Sequence, residues 1–137
     1  MPKSDIRWNQ RFQNFENSIG HLEQALQIAH PDFTQKAGII QLFEMSIELS
    51  WNGLKDYLED QGFSDLRSPR DTIKQAYESE LIVEGHSWLE AIKDRNLTSH
   101  TYDDKLADFV IDKIRANYFP ILSQLYVKLK PLSSCMD

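Results

Sequence analysis

The chain has 137 residues, a formal net charge of −6 and a single cysteine, Cys135. That length suits one domain, and 41% hydrophobic with 26% charged residues excludes the low-hydrophobicity, high-charge profile of disorder. One cysteine excludes an internal disulfide or a thiolate zinc cluster, and the acidic balance excludes a broad basic surface that tracks a nucleic-acid backbone, so any RNA contact must be local.

The polar stretch Met1–Gln10 has no apolar core of a signal peptide, and no run approaches the length that spans a bilayer; a cytoplasmic protein with no membrane association is expected. Trp8, Phe12, Phe15, Ile19, Leu22, Leu26 and Ala29 recur at spacings of four and three, which predicts an amphipathic helix ending at Pro31. A second helix is expected over about 34–61, with Ile39, Phe43, Ile47, Trp51, Leu54 and Leu58 on one side. Ile40, Leu42, Met45, Leu49 and Tyr57 widen its apolar arc. An arc that wide fits a central bundle helix, or one facing the core on one side and a partner subunit, at residues such as Leu49 and Met45, on the other. Gly62 is placed to close it as a left-handed cap.

Ser68-Pro69-Arg70-Asp71 combines an N-cap serine, a first-turn proline and an acid three residues after the cap, so a third helix starts there. Glu84-Gly85 interrupts the pattern, and a short helix carrying Trp88, Leu89 and Ile92 should end near Arg95. A last helix over about 104–130 stacks Leu106, Val110, Ile114, Tyr118, Leu122, Leu125 and Leu129, with a kink or break near 116–120 caused by Pro120. No segment alternates with period two. The expected fold is all-α: a single-domain antiparallel up-and-down bundle of four main helices plus one short helix, its core over about 8–130 and a tail at 131–137.

None of the five glycines stands in a Gly-Lys or Gly-Ser pair, so there is neither a phosphate-cradling loop nor the entry motif of a nucleotidyltransferase. The four histidines lack metal-ligand spacing, and no metal or cofactor is expected. What remains is the polar segment Asp94-Arg95-Asn96-Leu97-Thr98-Ser99-His100-Thr101-Tyr102-Asp103 between two apolar helices, the kind of connection where function concentrates. Two readings of it stand side by side. Thr98, Ser99 and Thr101 could simply cap the last helix, with Thr101 and Asp104 at capping-pair spacing and Arg95 in an ordinary ion pair; or the cluster is a site. Gln41, Glu44, Glu48, Asn52 and Lys55 form a polar stripe on the second helix, either a solvated seam or, through Glu44 or Glu48, a support for Arg95. Trp51 and Trp88 could stack a base, although aromatics at helical spacing are more often core or interface anchors. His21, His30 and His86 read as surface residues.

Arg95-Asn96-x-x-x-His100 resembles the motif of the HEPN family, and His100-Thr101-Tyr102 resembles the His-x-Tyr extension of members paired with minimal nucleotidyltransferases. Glu48-Leu49-Ser50-Trp51, Leu54-Lys55-Asp56-Tyr57-Leu58, Gly62, Ser68-Pro69-Arg70-Asp71 and Trp88-Leu89 are similar, in matching order, to the nucleotidyltransferase substrate-binding branch of that family, over about residues 8–130. The resemblance implies an antiparallel helical bundle, usually a homodimer, and a minimal nucleotidyltransferase as antitoxin partner. It implies a metal-independent ribonuclease acting on RNA, with Arg95, Asn96 and His100 catalytic, Ser99 supporting, and Tyr102 the residue that accepts adenylate. The alternative it leaves is a noncatalytic subunit that presents a nucleotide or other substrate to the transferase. The chemistry fits the residues: His100 can take the proton of a ribose 2′-hydroxyl, Arg95 can stabilise charge on phosphorus, and Asn96 can position a phosphate oxygen or the imidazole.

Overall fold

The computed structural model describes residues 3–98 and 103–134, with side chains described over 7–96 and 103–132. Every regular element among them is helical: α1 (Lys3–Leu26), α2 (Phe33–Asp60), α3 (Pro69–Glu78), α4 (Gly85–Thr98), α5 (Asp104–Lys113) and α6 (Phe119–Ser134), with a π-helical turn at Ile114–Tyr118 joining α5 to α6. None is long and apolar enough to cross a membrane.

The α1 stripe is buried as its spacing predicts, from Trp8 through Phe12, Phe15 and Ile19 to Leu22. The helix stops at Leu26, short of Pro31, and Ala29 is exposed outside it. Two tight i→i−3 bonds, Gln27 N–H to the Gln24 carbonyl and Ile28 N–H to that of Ala25, close its last turn. Arg115 donates to the freed Ile28 carbonyl at 2.9 Å, so the backbone group left over by the early stop is satisfied from the π-turn.

Asp32 then starts α2 with a full capping box: its carboxylate accepts from Gln35 N–H at 2.8 Å while the Gln35 side chain accepts from Asp32 N–H at 2.9 Å. α1 and α2 run antiparallel, because their pairings descend α2 as they climb α1. Trp8 meets the Tyr57 ring, Arg11 pairs with Asp56 at 2.6 Å, and Ser18 shares a buried hydrogen bond with Ser46. α2 touches each of the other five helices, which makes it the central helix of the bundle. Most of its wide arc is used inside the chain. Ile40, Leu42, Leu49, Trp51 and Tyr57 pack half-buried against the core. Leu49, expected on the outer face, lines a narrow crevice with Trp8, Phe15 and Leu129, whereas Met45 is 45% exposed.

Gly62 has φ 101°, and two bonds, Phe63 N–H to the Leu58 carbonyl and Gly62 N–H to that of Glu59, complete a Schellman cap. Ser68 caps α3 through the Asp71 N–H at 3.1 Å, with Pro69 in the first turn. Gly85 is the first residue of α4, where a Cβ would stand 3.2 Å from the Tyr77 ring, so its lack of a side chain lets α4 begin against α3. α4 has 14 residues and α3 only 10, so α4 is not the short helix of the bundle.

Pro120 neither breaks nor ends the last rod. It has no N–H to give the preceding turn and its ring crowds that turn; the rod widens just ahead of it into the π-turn, closed by Phe119 N–H to the Ile114 carbonyl. Beyond it Ile121, Leu122, Leu125 and Leu129 are buried. α6 continues past Lys130 and through Pro131 to Ser134. The carbonyl that Pro131 cannot serve belongs to Val127, an exposed residue.

Candidate functional site

α4 carries the first half of the polar segment further along a helix than its sequence suggests. It extends to Thr98, so Arg95 and Asn96 occupy its last turns instead of a loop, and a cation there is favoured by the negative end of the helix dipole. Arg95 Nη2 lies 3.2 Å from Glu48 Oε2 on α2. The same carboxylate oxygen accepts the Trp51 indole N–H at 3.3 Å, and Asn96 Oδ1 accepts from Arg95 Nη1 at 3.4 Å. Arg95 Nε is shielded from solvent, yet the side chain as a whole is 36% exposed and that of Glu48 46% exposed. The guanidinium is thus tied through Nη2 to an acid of the central helix and through Nη1 to its neighbour Asn96, in a side chain that is part-exposed.

Glu44 is half-buried one turn before Glu48 on the same side of α2. Asn52 is turned back to its own helix, its amide donating to the Glu48 carbonyl at 2.8 Å, and Gln41 is exposed. Trp88 is fully buried and packs in the core, so it offers no platform for a base; Trp51, half-buried, holds Glu48. His21 and His30 are exposed, and the His86 side chain is 90% exposed. Asp103 is the N-cap of α5, accepting from Lys105 N–H at 2.9 Å, so Asp104 opens the helix instead of standing three residues after its cap. Ser99, His100, Thr101 and Tyr102 lie outside the described residues, as do the side chains of Leu97 and Thr98.

Immediately before Arg95 in the chain stands a group that sequence reasoning missed. Asp94 is buried, and its Oδ2 accepts both the Tyr118 hydroxyl and Lys113 Nζ, the latter at 3.0 Å. Lys113 also reaches Glu90 at 3.5 Å and lies over the Tyr118 ring, which stacks in turn on Phe43 of α2 with centroids 5.3 Å apart. Its hydrogen bond to Asp94 raises the Lys113 pKa above the ordinary lysine value; burial first, and then the bond to Asp94, raises that of the Tyr118 hydroxyl. Both therefore hold their protons at neutral pH. A partial signal was present in the sequence: Asp94 stands three residues after the buried Ala91, which puts a charge near the buried side of α4.

A separate groove of about 500 Å³ lies between α3 and α4, lined by Ile73, Lys74, Tyr77, Val83, His86 and Leu89 among others and by none of the residues around Arg95.

The sequence model of the family described as "Nucleotidyltransferase substrate binding protein like" matches residues 10–131. A crystal structure of a protein from Thermus thermophilus is similar at 28% identity and a TM-score of 0.77, over 85% of this chain and 98% of that one. A structure described as a toxin–antitoxin with AMP-PNP shares the fold at a TM-score of 0.74 over 95% of this chain and 98% of that one, at 16% identity. No curated protein matches. With nearly its whole folded length matched, the chain belongs to the nucleotidyltransferase substrate binding protein like family.

Proposed function

We propose that this chain is the partner of a minimal nucleotidyltransferase in a two-gene, toxin–antitoxin-like module, and that it is a metal-independent ribonuclease silenced through Tyr102. The observation that carries the reading is the part-exposed Arg95 side chain, braced by Glu48 and Asn96, at the head of an Arg-x4-His-x-Tyr segment. The family, and a fold shared with a structure described as a toxin–antitoxin, support the partner role.

In the proposed reaction His100 removes the proton of a ribose 2′-hydroxyl, whose oxygen attacks the adjacent phosphorus. Arg95 stabilises the added negative charge, and the bond to the 5′-oxygen breaks. The products are a cyclic phosphate on the upstream fragment and a 5′-hydroxyl on the downstream one. One copy has a single acid–base group in this set, so a homodimer in which His100 of a second copy protonates the leaving oxygen completes it. Silencing follows when the Tyr102 oxygen attacks the α-phosphorus of ATP on the partner enzyme and releases pyrophosphate. The adenylate then sets an anion beside Arg95 and blocks the RNA phosphate.

A second reading, a noncatalytic subunit presenting a nucleotide to the transferase, is favoured by the family's description and by the net charge of −6. Growth separates the two. Expression without the partner slows growth if the chain is a ribonuclease, and His100→Ala restores it with the fold unchanged; growth unaffected by the wild type supports the binding subunit.

A further inference from the structure

Lys113 precedes the π-turn and Tyr118 is its last residue, five positions on. On a regular α-helix, at about 100° per residue, such a pair points about 140° apart and is poorly placed to share a small target. The wider i→i+5 turn brings them onto one side, and both donate to the same atom, Asp94 Oδ2. The π-turn thus coincides with one buried carboxylate held from two directions. Asp94 is bonded in sequence to Arg95. Tyr118 also stacks on Phe43 of α2, and Arg95 returns to α2 at Glu48. The links form a closed circuit: α2 to Tyr118, Tyr118 to Asp94, Asp94 to Arg95, and Arg95 back to α2.

We propose that Asp94, Lys113 and Tyr118 are positioning residues that set the last turns of α4, and with them the direction of the Arg95 guanidinium, through the π-turn of the last helical rod. The inference rests on the reading of Arg95 as the phosphate-binding group. A hydrogen bond that served stability alone would be interchangeable with others of its kind, and the molecule supplies the comparison. Tyr126 donates to Glu16 between α6 and α1, remote in the chain from the Arg95 pairings.

The test compares Tyr118→Phe, which keeps the ring on Phe43, with Asp94→Asn and with Tyr126→Phe in the full chain. The first readout is the Arg95 Nε–H resonance in a ¹⁵N–¹H spectrum, assigned with Arg95→Lys; the second is the single-turnover cleavage rate of RNA beside its binding constant. Tyr118→Phe and Asp94→Asn shift or broaden the Arg95 signal, and they slow cleavage by between about tenfold and a hundredfold, as a misplaced binding group does. RNA affinity changes less than the rate does, and Tyr126→Phe does neither. An Arg95 signal unmoved in a folded Tyr118→Phe protein, or moved equally by Tyr126→Phe, overturns the proposal. If the wild type cleaves no RNA, the ribonuclease reading fails while the Arg95 resonance still decides the positioning claim. If Asp94→Asn fails to fold, Tyr118→Phe alone decides.

Discussion

Arg95→Ala separates an arginine kept for chemistry from one kept for the fold. A buried ion pair that loses one member strands the other and costs about 3–5 kcal/mol. Here the two side chains are 36% and 46% exposed, and Glu48 keeps the Trp51 indole N–H at 3.3 Å once the guanidinium is gone. Solvent screens such a pair, and the expected loss is about 0.2–1 kcal/mol. For a domain of this size that lowers the melting temperature by no more than a few degrees, about 2–6 °C per kcal/mol. Far-ultraviolet circular dichroism during heating measures it, alongside growth on expression without a partner. The expected variant is folded, slightly less stable, and no longer slows growth. A loss above about 3 kcal/mol, or a chain that does not fold, would instead make Arg95 a structural residue.

Met45, exposed on α2, tests the proposed homodimer. Met45→Glu should yield a monomer by light scattering while the helical signal stays intact; a dimer that survives places the interface elsewhere. Lys113 and Tyr118 both hold a proton more tightly in the folded chain than in the unfolded one, so their contribution is complete below pH about 10 and is lost as the pH climbs through the raised folded values. Stability should decline above that pH, and the decline should be shallower in Tyr118→Phe and Lys113→Met; parallel curves would contradict the network. Incubation with ATP and the cognate transferase should place an adenylate on Tyr102, read by peptide mass. Equal silencing of Tyr102→Phe by a catalytically dead transferase would show that binding alone inhibits.

Much of the bundle is legible in the sequence because its signals are local. The stripe from Trp8 to Leu22, the Ser68-Pro69 start and the Gly62 stop each rest on spacing, a cap or a permitted φ, and each stands where those rules put it. The features that differ depend on what lies across the chain. α1 ends early where Arg115, 87 positions away, takes up the Ile28 carbonyl. Pro120 gives a π-turn, not a break, in a rod whose following turns are packed through Ile121, Leu122 and Leu125. Leu49 reads as interface from sequence because its cover by Trp8 and Leu129 is tertiary. At the site, Glu48 is one of two candidate supports for Arg95 and the two stand at 3.2 Å, a pairing between helices that a polar stripe only hints at. Asp94 shows in the sequence only as an acid near the buried side of α4; its meaning comes from Lys113 and Tyr118, which reach it from another rod of the bundle.

Ribonuclease activity is decided with purified protein, incubated with labelled RNA in excess chelator and followed by analysis of the fragment ends. The expected result is cleavage that survives the chelator and leaves a cyclic phosphate upstream and a hydroxyl downstream, and that His100→Ala and Arg95→Ala each abolish. RNA left intact by the wild-type protein, or cut equally well by both variants, would contradict it.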